Sequence, residues 1–462
     1  MAKNFLKFFS SRNRDLTQGP ILKNIVYLAF PLMVSFALNT TQSLIDMFWV
    51  GRLGSEAIAA VAMSGTIIMV VVTLFFGIST GTVSLISQNF GAGNLKEVEN
   101  VAMQSLIVSI IVSLIITIIG FVLSEGLLSL IGASQEVILI GTPYLKIIFL
   151  GSATMFLLFI GNAILQGVGD TFIPMVLIIL ANLLNIILDP IFIFGIGVPR
   201  MNTNGAAWAT VISQAISCLI IFYLFFNGHS KVHIRIKEFK IDFKIIWQIF
   251  KIGVPSSLQM FFRSVMGLAM VGLVASFGTY AVAAYGIGMR LQMVTLMPAF
   301  ALGAAAATLL GQNLGAGKIS RAKDSALIAT FLDLIIMLLV GLLFFIFSHE
   351  MISFFDKTKT VVAIGSEYLR ITAIFYSFIA FGVVLNRALG GAGDTFVPML
   401  ITFVSLWLIQ IPLAIILAKN SFFGLKGIWW SISIASVING VLTLLWFIIG
   451  KWQKRSLTAV VS

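Results

Sequence analysis

The chain has 462 residues, of which 59% are hydrophobic and 10% carry a charged side chain. Since soluble domains are about 25% charged, this composition excludes a soluble globular protein and indicates one that crosses the membrane many times. The net charge of +12 is concentrated in a few short segments, which does not favour nucleic acid as a partner. The single cysteine, Cys218, excludes a disulfide framework.

Apolar segments long enough to cross a bilayer, which takes about 20 residues in a helix, recur along the whole chain. Because these segments are uninterrupted, they indicate helices and not the strands of a barrel. We predict an all-α polytopic membrane protein with about twelve transmembrane helices. The predicted spans cover residues 26–50, 57–86, 101–123, 137–165, 172–195, 205–227, 246–275, 281–309, 324–347, 361–388, 396–418 and 427–450.

Basic residues cluster before the first predicted span, between the sixth and the seventh, and after the last. Because an even number of spans separates each cluster from the next, all three lie on the same side of the membrane. Short loops rich in Lys and Arg face the cytoplasm, so we expect a plasma-membrane protein with both termini in the cytoplasm. The clusters are Lys3, Lys7, Arg12, Arg14 and Lys23; Lys231, Arg235, Lys237, Lys240 and Lys244; and Lys451, Lys454 and Arg455.

The fifth predicted span carries polar residues where lipid-facing ones are expected. Asn182, Asn185 and Asp189 are spaced i, i+3 and i+7 and therefore share one helical face. An acid inside a bilayer costs roughly 2.5–3.5 kcal/mol on insertion scales and indicates a functional site. Pro190 follows the acid, removes a backbone hydrogen bond, and favours a bend or break there.

The first predicted span repeats this pattern, because Asn39, Gln42 and Asp46 have the same spacing. With the N-terminus inside, odd-numbered spans run outward, so both acids lie in the outer half of the membrane. Thr210, early in the sixth span, lies at a comparable depth. The sequence therefore predicts a polar pocket within the first bundle that contains Asp46, Asp189 and Thr210.

The second half of the chain repeats the first with a constant shift of 224 positions (312 − 88). The sequence QNFGAG at residues 88–93 recurs as QNLGAG at 312–317, and GDTF at 169–172 recurs at 393–396. Each copy holds about six spans, so both enter the membrane in the same orientation, which predicts two six-helix bundles related by a pseudo-two-fold axis. The predicted parts are an N-terminal bundle at 1–227, a cytoplasmic linker at 228–245 and a C-terminal bundle at 246–462.

The repeat separates residues needed for the scaffold from residues with a special role. Asp46 corresponds to Met270 and Asp189 to Leu413, so both acids belong to the first copy alone. This asymmetry favours a specialised role for the two acids. Asp170 occurs in both copies, just before a span, where a helix-capping carboxylate is expected.

The chain resembles the multidrug and toxic compound extrusion (MATE) family over almost its whole length. The resemblance rests on IDMFWVGRLG at 45–54, LDPIFI at 188–193, and the paired QNxGAG and GDT loops. It implies secondary export of amphipathic, mostly cationic compounds by alternating access, driven by the inward movement of protons or sodium ions.

In the branch of the family that the chain resembles, a cation-linked site lies in the N-terminal lobe. The corresponding residues here are Asp46, Asn185, Asp189 and Thr210, and the same four would bind Na⁺ if sodium is the coupling ion. Another branch places acids in the seventh and tenth helices. Here the seventh span has Gln259 and Arg263 instead, and Glu367 of the tenth is expected to pair with Arg370, so we expect no coupling site in the C-terminal lobe.

The resulting functional prediction is cation-coupled multidrug efflux. A flippase for lipids or lipid-linked saccharides is the alternative. The three histidines lie in connections and no zinc or phosphate-binding motif occurs, so we expect no enzymatic activity and no cofactor besides the coupling ion. The expected partners are small organic cations or amphipathic drugs and membrane lipid, and the chain is expected to be a monomer.

Further residues are assigned by position. Arg263, Arg290 and Asp333 lack counterparts of matching charge and are additional candidates for substrate contact. The cavity-lining residues are expected to be Asn39, Gln42, Asn162 and Asn182, and the helix bends to lie at Pro31, Pro190 and Pro255.

Overall fold

The computed structural model describes residues 14–228, 230–235, 240–420 and 422–454. The described residues form helices and no strands. Ten helices are each long and apolar enough to cross a membrane, and two bent helix pairs raise the number of candidate spans to 12. The prediction of an all-α polytopic protein is therefore confirmed.

The described chain divides into two compact units, one comprising residues 14 and 30–253, and the other residues 15–29 and 254–462 where described. The boundaries at 29/30 and 253/254 fall inside the long helices α1 (Ile21–Gly51) and α8 (Phe243–Ala275). Seven helices and the beginning of α8 form most of the first unit. They are α1 (Ile21–Gly51), α2 (Ser55–Gly91), α3 (Leu95–Leu130), α4 (Gln135–Leu150), α5 (Ser152–Gly167), α6 (Phe172–Phe194), α7 (Thr203–Phe226) and α8 (Phe243–Ala275).

The second unit continues from α8 through the remaining helices. They are α9 (Thr279–Gly315), α10 (Ile319–Ile346), the short α11 (Ser348–Phe355), α12 (Lys359–Ala373), α13 (Tyr376–Gly391), α14 (Phe396–Lys419) and α15 (Leu425–Ile449). Two of them contain π-helical segments, Phe381–Leu385 in α13 and Val404–Gln410 in α14. Its core includes the packed rings of Tyr285, Tyr368 and Trp429.

Two helix pairs are bent at breaks that do not lie at the predicted prolines. The pair α4 and α5 is bent by 48°, and the pair α12 and α13 by 59°. The helices α1, α6 and α8 continue through Pro31, Pro190 and Pro255. Helix α6 is therefore not broken at Pro190.

The duplication is visible in the backbone. Glycines that precede equivalent helices have positive φ angles in both copies: Gly93 at 76° and Gly317 at 71°, and Gly169 at 77° and Gly393 at 78°. A side chain would strain this left-handed conformation, which glycine adopts readily. The carboxylate Oδ1 of Asp170 accepts hydrogen bonds from the backbone N–H groups of the first two residues of α6, which confirms its predicted capping role.

Charged groups near the α11–α12 connection pair differently from the sequence-based expectation. The carboxylate of Glu367 forms an ion pair with Lys426 at 2.6 Å, and the Nε of Arg370 donates to Ser348 Oγ at 2.8 Å. The predicted pairing of Glu367 with Arg370 is therefore wrong. Glu367 and Arg370 are close in sequence, whereas Lys426 lies on α15 and is brought next to Glu367 by the fold.

The predicted linker at 228–245 lies partly outside the described residues, which omit 229 and 236–239. The side chains of Val232 and Ile234 are buried, and the backbone N–H of Ile234 donates to Phe225 O at 3.1 Å. Beyond the omitted stretch, the Nε2 of Gln104 donates to Lys240 O at 2.7 Å. The described linker residues therefore pack on the first unit.

Helices α6 and α7 approach each other closely at Gly205, where a Cβ would lie 2.5 Å from the carbonyl carbon of Phe192. We predict that Gly205→Ala lowers the stability of the protein by about 1–3 kcal/mol, because the backbones must separate to accept the methyl group. The measurement is the thermal unfolding midpoint of the purified protein in detergent. Gly65→Ala is the control, since a Cβ at this helical position has nothing within 4 Å. Equal midpoints for both variants would contradict the prediction.

Candidate functional site

Three helices of the first unit bring the polar residues of the predicted pocket to one level. Asp46 and Asp189 each lie in the last two turns of their helices, α1 and α6. Thr210 lies near the beginning of α7, which packs along α6 after a tight connection. The connection is compact because Gly195 and Gly197 adopt positive φ angles of 78° and 77°. The chain therefore reverses within a few residues and places Thr210 beside the end of α6.

Asn185 is the centre of the hydrogen bonding in this pocket. Its side chain and that of Asp189 are both 0% exposed. The Nδ2 of Asn185 donates to Asp189 Oδ1 at 3.4 Å and to Thr210 Oγ1 at 3.4 Å. The hydroxyl of Thr210 in turn donates to the carbonyl oxygen of Ala206 at 3.0 Å. The amide therefore links the acid of α6 to the hydroxyl of α7.

The carboxyl groups of Asp46 and Asp189 lie within hydrogen-bonding reach of each other. Two ionised carboxylates offer only acceptors, so such a contact requires a proton on one of them. Without that proton, Asp46 Oδ1 and Asp189 Oδ2 have no hydrogen-bond partner, although both atoms are buried. Because uncompensated buried charges of like sign are very costly, the pair requires a proton or another cation.

The donor set of the pocket consists of oxygen atoms. Besides the two carboxylate oxygens, Asn185 Oδ1 is buried with no hydrogen-bond donor. Carboxylate, carbonyl and hydroxyl oxygens suit protons and hard metal ions, and the absence of sulfur or imidazole disfavours zinc or copper. In the described part of the chain, no group of three or more His, Cys, Asp or Glu residues is arranged to hold a metal ion. The pocket therefore fits a proton or a weakly bound monovalent cation.

The other predicted lining residues lie outside this hydrogen-bonded cluster. Asn182 is buried and its Nδ2 has no acceptor, while Asn162 is half-buried and its Oδ1 has no donor. Gln42 is half-buried and Asn39 is exposed. Within the described residues, no side-chain hydrogen bond connects any of these four to the cluster. They leave amide groups available on the surrounding helices.

Two aromatic residues near the pocket were not selected from the sequence. Tyr144 of α4 packs on the apolar cluster beside the helix ends and lies within electrostatic reach of both Asp46 and Asp189. Trp49, one turn after Asp46, has a buried Nε1–H without an acceptor. Tyr144 recurs in the second copy as Tyr368, and only the folded structure shows that it lies near the acids.

The second unit has different chemistry at the equivalent positions. Met270, the counterpart of Asp46, is 1% exposed. The amide of Gln259 is engaged, because its Nε2 donates to Pro398 O at 3.0 Å and to Thr402 Oγ1 at 2.7 Å. The pair of facing carboxyl groups is thus a feature of the first unit, within the described residues.

Comparisons with known proteins agree with the duplicated architecture. The MatE family model matches residues 31–191 and again residues 255–416. The chain is 30% identical to a probable multidrug resistance protein NorM of Thermotoga maritima, over 94% of each chain, and 30% identical to a probable multidrug resistance protein YpnP of Bacillus subtilis, over 96% of this chain and 98% of the relative. A crystal structure of MATE in the bent conformation superimposes with a TM-score of 0.90 at 28% identity, covering 96% of this chain and 98% of the other.

The contact between α6 and α7 can be tested at Thr210. We predict that Thr210→Val lowers stability by roughly 1–3 kcal/mol, because the nearly isosteric side chain removes an acceptor from a buried amide. Thr210→Ser keeps the hydroxyl and should restore most of the loss. The control is Thr66→Val, because the exposed Thr66 hydroxyl bonds only to Ala62 O of its own helix. Thermal midpoints in detergent would refute the prediction if the Thr210 and Thr66 variants lost equal stability.

Proposed function

We propose that this chain, which belongs to the multidrug and toxic compound extrusion (MATE) family of membrane transporters, exports amphipathic organic cations in exchange for protons or sodium ions. The similarity to multidrug resistance proteins supports multidrug efflux. The observation that carries the finer proposal is the neighbouring pair of carboxyl groups of Asp46 and Asp189, each with one buried oxygen that has no hydrogen-bond partner. Because this pair requires a cation, the protein binds one in each transport cycle.

Exchange follows from competition for negative charge. When the pocket is open to the outside, a proton or Na⁺ binds between Asp46 and Asp189 and removes one negative charge, with Asn185 Oδ1 and Thr210 Oγ1 as additional oxygen ligands for a metal ion. A less negative pocket attracts a cationic drug less strongly, and the drug leaves. Because this coupling is reciprocal, a drug that binds inside promotes release of the cation. A coupling free energy of about 1.4 kcal/mol would change drug affinity tenfold.

The remaining polar groups of the first unit suit a permissive substrate site. The amides of Asn162 and Asn182 each leave one buried atom unpartnered, and Gln42 and Asn39 extend the polar stripe along α1. Scattered neutral amides on apolar helices provide polar contacts without demanding one substrate shape. We propose that the transporter acts as a monomer in the plasma membrane, surrounded by lipid, with both termini in the cytoplasm.

A flippase for lipids or lipid-linked saccharides is the second candidate. One observation favours it: in the second unit, Arg263 and Arg387 lie within electrostatic reach of each other. Two neighbouring guanidinium groups suit a phosphate-bearing substrate. The carboxyl pair of the first unit has no role in recognising such a substrate, so we rank this function below cation-coupled export.

Transport in everted vesicles distinguishes these functions. We predict that addition of ethidium dissipates an imposed proton gradient in vesicles that contain the wild-type protein, and that Asp189→Asn abolishes this flux because the pair can no longer bind and release a cation. A pH-sensitive dye reports the flux, with sodium present and absent. Glu125→Gln, which neutralises an exposed acid of α3, is the matched control and should transport normally.

Other outcomes of this experiment have defined meanings. Flux that requires sodium would assign the pocket to Na⁺. If wild-type vesicles show no ethidium-driven flux with or without sodium but translocate a labelled lipid-linked saccharide, the flippase function replaces antiport. Normal ethidium-driven flux in Asp189→Asn would refute the role of the pair.

Drug binding should also depend on pH, with a sign set by competition. We predict that the affinity of the purified protein for ethidium falls as pH falls, because protons occupy the carboxyl pair at low pH and displace the cation. One proton displaced per drug corresponds to a tenfold loss of affinity per pH unit, or about 1.4 kcal/mol. Fluorescence titration measures the affinity, and Asp189→Asn should flatten the dependence. A pH-independent affinity in the wild type would contradict competition.

A further inference from the structure

Helix α10 of the second unit carries an acid that the proposed mechanism does not use. Asp333 lies near the middle of α10, about 21 Å from its beginning at 1.5 Å per residue. Its side chain is 0% exposed, and neither carboxylate oxygen has a hydrogen-bond partner among the described residues. An isolated ionised carboxylate is very costly in such surroundings, and a group of this kind is neutralised instead. Asp333 therefore holds a proton in this conformation.

No ionisable side chain of the described residues compensates a charge on Asp333. Within the described residues, Asp333 forms no ion pair and no hydrogen bond. The stretch of α9 from Gln292 to Gly315 contains no ionisable residue. On the elements packed against α10, the ionisable residues are Tyr280, Tyr285 and Arg290 of α9, His349 and Glu350 of α11, Lys359, Glu367, Tyr368 and Arg370 of α12, and Tyr376 and Arg387 of α13. On α10 itself, Arg321, Lys323 and Asp324 lie near the beginning of the helix.

Asp333 belongs to a buried stripe of α10 that also contains Met337, Gly341 and Phe344. Further along this stripe, a Cβ on Gly341 would lie 2.7 Å from Ala373 O and 3.8 Å from the Cβ of Tyr376. Helices α10 and α13 belong to successive spans, which run antiparallel. Asp333 lies two turns before Gly341, so it is level with residues about two turns after Ala373 and Tyr376. Those residues form the π-helical segment Phe381–Leu385, which contacts α10.

The π-helical segment provides a means of changing the surroundings of Asp333. A π turn contains an extra residue relative to an α turn and is often found at functional sites. Conversion of this segment to α-helix would rotate the flanking helical parts by about 100° relative to each other. Asn386 follows the segment directly, and its Nδ2 is buried without an acceptor. The residue next to the segment that would move therefore has an amide donor without an acceptor.

The repeat shows that this position is polar in both units. Ser109, the counterpart of Asp333, is 0% exposed and its Oγ has no hydrogen-bond partner. Asn162, the counterpart of Asn386, also leaves a buried amide atom unpartnered. A hydroxyl in the first unit and an acid in the second thus occupy equivalent places. Of these two side chains, the carboxyl group is the one that binds and releases a proton.

We propose that Asp333 is a proton-binding site of the second unit, which exchanges its proton with water when the π-helical segment Phe381–Leu385 rearranges and presents the Nδ2 of Asn386 to the carboxylate. The proton passes from the carboxyl oxygen to water, and the remaining carboxylate accepts the hydrogen bond from the amide. The reverse movement returns the proton from water. This site goes beyond the proposed function, because it requires neither the drug nor the carboxyl pair of the first unit.

Infrared spectroscopy of the full chain in liposomes tests the proposal directly. We expect a carbonyl band of a protonated carboxylic acid at neutral pH that is lost in Asp333→Asn and kept in Asp189→Asn. After transfer to D₂O the band should shift as the proton exchanges. In Asn386→Leu the carboxylate has no donor, so the exchange should slow at least tenfold. Asp333→Ser, which introduces the residue found at position 109, serves as a second variant if Asp333→Asn does not fold.

Each result decides the question. An unchanged carbonyl region in both Asp333 variants would show that Asp333 is ionised and overturn the proposal. A band that does not shift in D₂O would identify a permanently closed acid and overturn the exchange. Equal exchange in wild type and Asn386→Leu would overturn the role of the amide. Because these readouts need no drug, their failure is distinguishable from an absence of ethidium transport.

Discussion

The arrangement of the first unit depends on one constraint: Asp46 and Asp189 cannot both be ionised where they lie unless a cation is present. Coulomb repulsion and desolvation act in the same direction at such short range. The helix ends around the pair are organised to tolerate it. Asn185 supplies a donor to one carboxylate, and Gly205 lets α7 approach closely enough for Thr210 to engage the same amide.

The duplication makes this constraint informative. The two copies share their left-handed glycine turns and the packing of successive helices, so the scaffold does not require an acid at either position of the pair. The residue equivalent to Asp46 is Met270, and burying this apolar side chain carries no desolvation penalty for a charge. Retaining two acids in one copy only lowers the stability of that copy and is understandable if the site binds a cation. The first copy thus carries the two acids and their cost in stability, and the second copy keeps the same fold without them.

Much of the architecture follows from the sequence, because apolar length and helical spacing are local properties. The spans, the repeat and the shared face of Asn185 and Asp189 could all be predicted in this way. The two helix breaks could not, since they adjoin Gly151 and the residues between α12 and α13, where no proline stands.

Contacts between segments that are distant in sequence were the other feature that could not be predicted. The partner of Glu367 comes from α15, and proximity in sequence suggested the wrong cation. The position of Tyr144 near the acids is a further contact of this kind, whereas its counterpart Tyr368 in the second copy forms ring contacts and a hydrogen bond to Gln292 at 3.1 Å. A repeat identifies what both copies need, but it conceals a residue that acquires a second role in one copy.

The two units also differ in helix geometry, because two helices of the second unit contain π-helical segments. Residues equivalent to Phe381–Leu385 lie inside the regular helix α5, and those equivalent to Val404–Gln410 lie inside α6. An inserted residue in a helix weakens its hydrogen bonding and is retained only where the surroundings compensate. In the second unit a π-helical segment contacts the helix that carries Asp333, whereas in the first unit the acids lie on helices without such a segment. The two copies of the fold therefore place these acids in different helical surroundings.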